Sequence, residues 1–403
     1  MSARGAADAR VVRAGFIPLL DAAVLIAAAA LGLDRREGIR LELTRDVSWS
    51  NIRDRLAFRQ FDVAHMLGPM AVAGELGLGS NPHPVIAPFA LAEGGNAITL
   101  SVELVARMRE AMGDAPYPDT AAAHATALAR EVARRRAANE PPPVFGVTYP
   151  FSSHNYEFRL WMAQAGIDPD RDVTLTVVPP PMTADALRAR LIDGFCVNAP
   201  WNVLAVEEGI GRIVAVKLDV WPGSPEKVLG LRPDWWRENR DTAERLLAVL
   251  DAGARWCAAP ENRRELAAIL AEPAHVGGQA GLFEPILNGD LLVDPDGTRR
   301  AIPTYLDFRP DGANLPRRSQ ALWIYAQMVR WGQTPFDADA AERAAEAFRP
   351  DVYRAALPGR ADALPDARIE RAPPGGGPDF DPERIEAYLS AAPMGGGGSP
   401  AGD

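Results

Sequence analysis

What most constrains this chain is an alternation. Short apolar runs over 11–16, 39–43 and 62–67 alternate with helix-length stretches over 21–33, 48–57 and 69–76, and further apolar runs follow over 84–91 and 97–100. Residues 108–143 interrupt the pattern with Ala/Arg-rich sequence, a helix over 121–138 and a proline run. The alternation then resumes, with strands over 144–149, 173–178, 195–197 and 213–218 and helices over 154–165, 184–191 and 201–208. Short strands separated by helices can return in register only through crossovers, so this rhythm predicts mostly parallel sheets covered by helices on both faces. Two such series predict two α/β units, with a ligand at the C-terminal ends of strands. Beyond Pro233 the chain turns helical, with apolar stripes over 243–257, 262–271 and 319–331.

Charge narrows the function. The 403 residues carry a formal net charge of −10 and a pI near 5.2. An acidic whole opposes nonspecific attraction to nucleic acid or anionic membrane, and a site for an anion must then be locally positive. Cys196 and Cys257, the only cysteines, form no C-x-x-C pair. They are expected as reduced, buried thiols, with one disulfide between them left open by sequence. Arginine is abundant, whereas Lys217 and Lys227 are the only lysines, which singles them out because the two cations differ in donor geometry and hydration. Residues 1–13 are polar, and the apolar run over 22–33 is too short to span a membrane and lacks a cleavage-site context, so a cytoplasmic location is expected.

The usual catalytic signatures are missing. There is no phosphate-binding G-x-x-x-x-G-K-[ST], no G-x-G-x-x-G after the first strand and no G-x-S-x-G. The five histidines, His65, His83, His124, His154 and His275, are scattered without metal-ligand spacing. No metal, cofactor or catalytic residue is expected. The stretch TYPFSSHNYEFRLWM, residues 148–162, stands out because His154 follows two serines at a strand-to-helix turn. By itself that histidine could be a base (with Cys196 as nucleophile), a metal ligand, an anion contact or part of a helix start. Free N–H groups at a helix start favour an anion.

Several long motifs occur in order: GFIPLLDAAVLIAAAALGL, TRDVSWSNIRDRLAFRQFDVAHMLGPM, GGNAITL, TYPFSSHNYEFRLWMAQAGIDPDRDV, VVPPPMTADALRARLIDGFCVNAPWN and WPGSPEKVLGLRPDWW. Together, over residues 11–357, the chain resembles the nitrate- and bicarbonate-binding proteins of ABC transporters, with the type II periplasmic-binding-protein fold. The resemblance implies two lobes closing on a small anion: 10–101 as the N-terminal part of lobe I, 102–222 as lobe II, and 223–360 as the return to lobe I with C-terminal helices. Residues 361–403, rich in Pro and Gly, are expected to be a disordered tail.

The resemblance also implies a ligand set. The tryptophan of the family's SW-x-N-I-R-D motif falls on Trp49, and the amide of its N-G-Q-A-I-T-L-like motif on Asn96. The histidine after its G-G-T run falls on His154, with Ser152 and Ser153 in the preceding positions as possible further contacts. The glycine of its C-V-G-E-P-W motif is replaced by Asn198, and the lysine of its P-E-K motif is Lys227. These types suit nitrate, a planar monoanion that wants about one positive charge and several N–H donors. Lysine where a bicarbonate site would carry an acid and a metal favours nitrate or nitrite.

Without an export signal, the chain is most similar to the cytoplasmic nitrate/nitrite sensors of this family (the NasS type). These imply a partner, an RNA-binding antiterminator of the NasT type with an ANTAR domain, held when the sensor is ligand-free and released on anion binding. The alternatives are the binding protein of a nitrate or bicarbonate importer whose start is truncated, and a synthase of the related pyrimidine-precursor group, whose cysteine-rich motif is missing.

Overall fold

A computed structural model describes residues 9–115, 117, 119–223, 225–373 and 377–391. The strands, in chain order, are β1 (Arg10–Phe16), β2 (Ile39–Arg45), β3 (Val63–Leu67), β4 (Ile86–Gly94), β5 (Asn96–Ser101), β6 (Val144–Val147), β7 (Thr174–Val177), β8 (Gly194–Asn198), β9 (Gly211–Val216), β10 (Pro225–Leu231), β11 (Asp290–Leu292), β12 (Arg299–Ala301) and β13 (Leu306–Asp307). They form one sheet in the order β13-β4-β10-β3-β1-β2, a second in the order β7-β6-β8-β5-β9, and the small β11-β12 ribbon. The parallel cores expected from the β-α rhythm are β2-β1-β3 and β7-β6-β8. The strands that carry the chain between lobes make each sheet mixed, because β10 runs antiparallel to β3 and β4, and β5 antiparallel to β8 and β9.

The first crossing lies earlier than the expected boundary at residue 101. β4 belongs to the first sheet and β5 to the second, so the chain changes lobe at Gly94 and Gly95. The return to the first sheet falls between β9 and β10. Sequence could not separate the two apolar runs flanking GGNAITL by sheet, since both are buried and extended. The glycines are required here. Both have positive φ, +81° and +83°, a region where a side chain costs free energy. A Cβ on Gly94 would overlap the Tyr305 carbonyl, and one on Gly95 would overlap the Asn198 amide.

Helix starts that point toward the cleft are capped by their own sequence. Ser48 accepts from Asn51 N at the start of Trp49–Ala57, and Ser152 accepts from Asn155 N at the start of Ser153–Gln164. Each cap satisfies a backbone donor that the helix leaves unpaired, a contribution of about 1 kcal/mol.

The tail expected over 361–403 is not disordered throughout. Glu370 and Phe380 exchange backbone hydrogen bonds, and the helix Ile385–Ala391 buries Ile385 and Tyr388. Tyr388 meets Trp221, which stacks on Trp323 of the helix Arg318–Arg330 with ring centroids 4.9 Å apart. The apolar positions Phe380, Ile385 and Tyr388 are few among Pro and Gly, which hid the docking from a compositional reading. Residues 392–403, with the GGGGS run, lie outside the described residues.

Gly94→Ala should lower stability to urea by about 2–4 kcal/mol, the sum of left-handed strain and a backbone overlap. Gly209→Ala, at φ +72° with nothing near the added Cβ, should lose only about 1 kcal/mol. Equal losses would show that the contact with Tyr305 carries no energy.

Candidate functional site

Trp49, Asn96, Ser153, His154, Asn198 and Lys227 come together at the junction of the two sheets, all with side chains cut off from solvent. Lys227 stands on β10. Strand alternation would send Glu226 and Lys227 to opposite faces, but the β4–β10 register shifts on both sides of Lys227. Its Nζ lies 2.7 Å from Glu226 Oε1 and 2.8 Å from Asp21 Oδ2, and 5.4 Å from the centre of the Trp49 ring. The lysine expected as a point charge is thus paired on both sides.

Glu226 is the hub. Its carboxylate accepts from Asn96 Nδ2 at 2.7 Å and from Ser153 Oγ at 2.6 Å, besides Lys227. Lys217 Nζ lies 3.3 Å away and His154 Nε2 3.5 Å away. Burial opposes its ionisation, but Lys227 and Lys217 outweigh that, and its pKa falls below the carboxylate range. Glu157, on the helix Ser153–Gln164, shares two of these partners, Asn96 Nδ2 at 3.0 Å and Lys217 Nζ at 3.4 Å. Burial raises its pKa to about 7, against the attraction of Lys217.

On the lobe I side, Ile17 N donates to His65 Nδ1, which leaves Nε2 to face Asp21 Oδ1 at 3.0 Å. Burial keeps His65 uncharged, and Asp21 remains ionised despite burial because Lys227 and His65 face it.

His154 enters at the second position of its helix. Thr148 Oγ1 lies 3.0 Å from Nδ1, and among the described residues Nε2 has no hydrogen-bond partner, with Glu226 Oε1 3.5 Å away. Burial lowers its pKa to about 3, so the ring is neutral near pH 7. Trp49 Nε1 is a buried donor without an acceptor among the described residues. A buried indole N–H and a buried imidazole nitrogen, both without a partner among the described residues and beside buried ammonium groups, mark a site that gains from an incoming polar group.

The two serines divide their tasks. Ser152 donates to Tyr149 O at 2.6 Å and caps the helix, whereas the Ser153 hydroxyl reaches Glu226. Asn198, expected as a ligand donor, is engaged within the protein here. Its Nδ2 already donates to Gly94 O at 3.0 Å and Asn96 Oδ1 at 3.1 Å, so both amide hydrogens are committed. The antiparallel register pairs Asn198 directly with Asn96, and Asn198 aims the Asn96 amide into the site.

Sequence reasoning did not bring Asp21, His65, Glu157 or Glu226 to this site, and it singled out Lys217 without placing it. The scarcity of lysine was a signal for Lys217. Asp21 sat unremarked at the start of an otherwise apolar helical run, and Glu226 stood next to a residue already singled out.

Residues 5–271 match the NMT1-like family. The chain belongs to that family. A nitrate/nitrite binding protein, NrtA, of Synechococcus elongatus is 30% identical over 397 residues, covering 95% of this chain and 86% of that protein. A nitrate import ATP-binding protein, NrtC, of Synechocystis is 33% identical over 343 residues, but this chain spans only 48% of its length. The crystal structure of the periplasmic nitrate-binding protein NrtA from Synechocystis PCC 6803 superposes with a TM-score of 0.84 at 26% identity, covering 95% of this chain and 98% of that one. The fold is therefore the two-lobed α/β architecture of periplasmic binding proteins, with mixed sheets flanked by helices and the buried cluster between the lobes.

The charges make a signed prediction about stability. Below its unfolded pKa of 6.5, His154 binds a proton in the unfolded chain but not in the folded one, so its contribution is lost as pH falls toward 3. Glu157 acts oppositely: folded, it holds its proton up to about pH 7, so its contribution is lost as pH rises from 4.5. The slopes oppose between pH 4.5 and 6.5. Glu157→Gln should therefore steepen the rise of stability with pH in that window by about 1.4 kcal/mol per pH unit. His154→Gln should tilt it the other way. Urea unfolding at pH 4.5, 5.5 and 6.5 reads both, and identical slopes in the two variants would refute the assignment.

Proposed function

We propose that this protein binds nitrate or nitrite between its lobes. One observation carries this: donors from both lobes converge on a single planar oxyanion, the carboxylate of Glu226. Nitrate and nitrite are planar oxyanions of the same single charge and similar size. Lys227 would supply the charge, and His154 Nε2, Trp49 Nε1 and Asn96 the directed donors. A weakly basic monoanion is favoured over phosphate or sulfate because the lysines are already largely balanced by carboxylates, leaving no excess positive charge for a dianion. All these groups are buried, so the anion must enter with the lobes apart and be held when they close.

We further propose that binding serves sensing in the cytoplasm, with an RNA-binding antiterminator (NasT type, with an ANTAR domain) as partner. The ligand-free protein would hold the antiterminator, and the anion would release it by favouring the closed state. A ligand shifts such an equilibrium only by its difference in affinity for the two states. Support for this comes from the motif resemblance and from a site buried between lobes. A second reading, the binding component of a nitrate or bicarbonate importer, is favoured by the names of the relatives.

Calorimetry with nitrate tests the binding site. Lys227→Ala and Trp49→Phe should each weaken binding about ten- to a hundredfold, the worth of a charge-assisted or newly satisfied buried hydrogen bond. Removing Lys227 also leaves Asp21 and Glu226 uncompensated, so circular dichroism must first show a folded variant. Unchanged affinity in both folded variants would refute the site. For the partner, affinity capture from lysate should retain an RNA-binding antiterminator without nitrate and lose it with nitrate. Its absence from the nitrate-free capture would remove the sensing reading, and recovery of the protein from the periplasmic fraction would favour the importer.

A further inference from the structure

The cluster contains more acid than a receptor for an anion needs. Two ammonium groups, Lys217 and Lys227, face three carboxylates, Asp21, Glu157 and Glu226, within one network of contacts of 2.7–3.4 Å. The two histidines facing them, His65 and His154, are held neutral by burial. With every carboxylate ionised, the cluster carries one net negative charge, and a monoanion would raise this to two in a site closed to water. That is a heavy desolvation cost with nothing to offset it.

The geometry points to the residue that relieves it. Glu157 and Glu226 draw on the same Asn96 amide and the same Lys217 ammonium. Glu226 has further donors in Ser153 and Lys227, whereas among the described residues Glu157 is held by the shared ones alone. An anion that engages Asn96 and Lys227 competes directly with the carboxylates for these donors. We infer that each anion enters with one proton, taken from solvent onto the Glu157 carboxylate, so that the protein binds the ion pair of H⁺ and a monoanion rather than the monoanion alone. The proton adds one positive charge as the anion adds one negative, and the net charge of the cluster stays where it stood.

The groups that face Glu157 are consistent with this. Lys217, at the start of the short helix after β9, and Asn96 on β5 favour its charged form, whereas Glu226 on β10 and burial oppose it. Cys196 on β8 is a buried thiol held well above its usual pKa, and Tyr305 is likewise held in its neutral form, so neither supplies a competing charge. Glu93, near the end of β4, also feels Lys217, and burial raises its pKa to about 7, which makes it the control. Glu93 accepts from Gln320 Nε2 at 3.2 Å.

This inference rests on the anion-binding reading, and one experiment separates the two. Nitrate is titrated calorimetrically into the full chain at pH 8 in HEPES and in Tris, and at pH 6 in MES and in Bis-Tris. The dependence of the observed heat on buffer ionisation heat gives the protons taken up. About one proton per nitrate is expected at pH 8 and close to none at pH 6, where Glu157 already carries it. Affinity should fall about tenfold per pH unit above pH 7 and level off below. Glu157→Gln should abolish the uptake and flatten the pH dependence, while Glu93→Gln should keep both. Nitrate binding with no proton uptake at pH 8 overturns the inference and leaves the binding reading standing. Uptake that survives in Glu157→Gln, or is lost in Glu93→Gln, overturns the assignment to Glu157. No nitrate binding by the wild-type chain at either pH overturns both readings. The wild-type measurement decides the proton count even where a variant does not fold.

Discussion

The buried carboxylate of Glu226 is the interaction on which the arrangement of the lobes depends. It stands on β10 of lobe I but takes its hydrogen bonds from Asn96 and Ser153 of lobe II, with Lys217 close by. A charge removed from water on this scale is tolerable only when its partners surround it, and here those partners come from both sides of the cleft. The closed arrangement is therefore coupled to the state of the site. Opening the lobes would return Glu226, Lys217 and Lys227 to water, which is favourable for the charges but loses the contacts between them.

Around that hub, the rest of the structure acts to aim donors. Gly94 and Gly95 take the chain from one sheet to the other in a conformation that leaves room for the Asn198 amide. Asn198 then turns the Asn96 amide so that its N–H groups face the two glutamates. Ser152 caps its helix, which holds Ser153, His154 and Glu157 on the side facing the cleft. The short helix after β9 brings in Lys217, and the irregular pairing of β10 lets Glu226 and Lys227 serve the same cluster.

Much of this was legible in the chain. The strand–helix rhythm gave the two α/β units, Ser48 is a cap as its position suggested, and the motifs named Trp49, Asn96, His154 and Lys227, which do meet. Less was legible at the lobe boundary, where GGNAITL follows one extended run and opens another, and the two runs differ only in which sheet they join. The order around Glu370 and over 377–391 was also hidden, because a few aromatic anchors in a Pro/Gly-rich background leave no periodic pattern.

By itself, the sequence determined the local structure and the inventory of donors: caps, turns and apolar periodicity act over a few residues, and a resemblance in motifs carries residue types to positions. Tertiary structure alone decided the charge state and the roles. Asp21, His65, Glu157, Lys217 and Glu226 lie far apart along the chain or looked like ordinary surface charges, and burial in a shared low-dielectric space is what couples them. That coupling engages the Asn198 amide with Gly94 and Asn96, makes Lys227 half of a balanced pair, and lifts the Glu157 pKa toward neutrality.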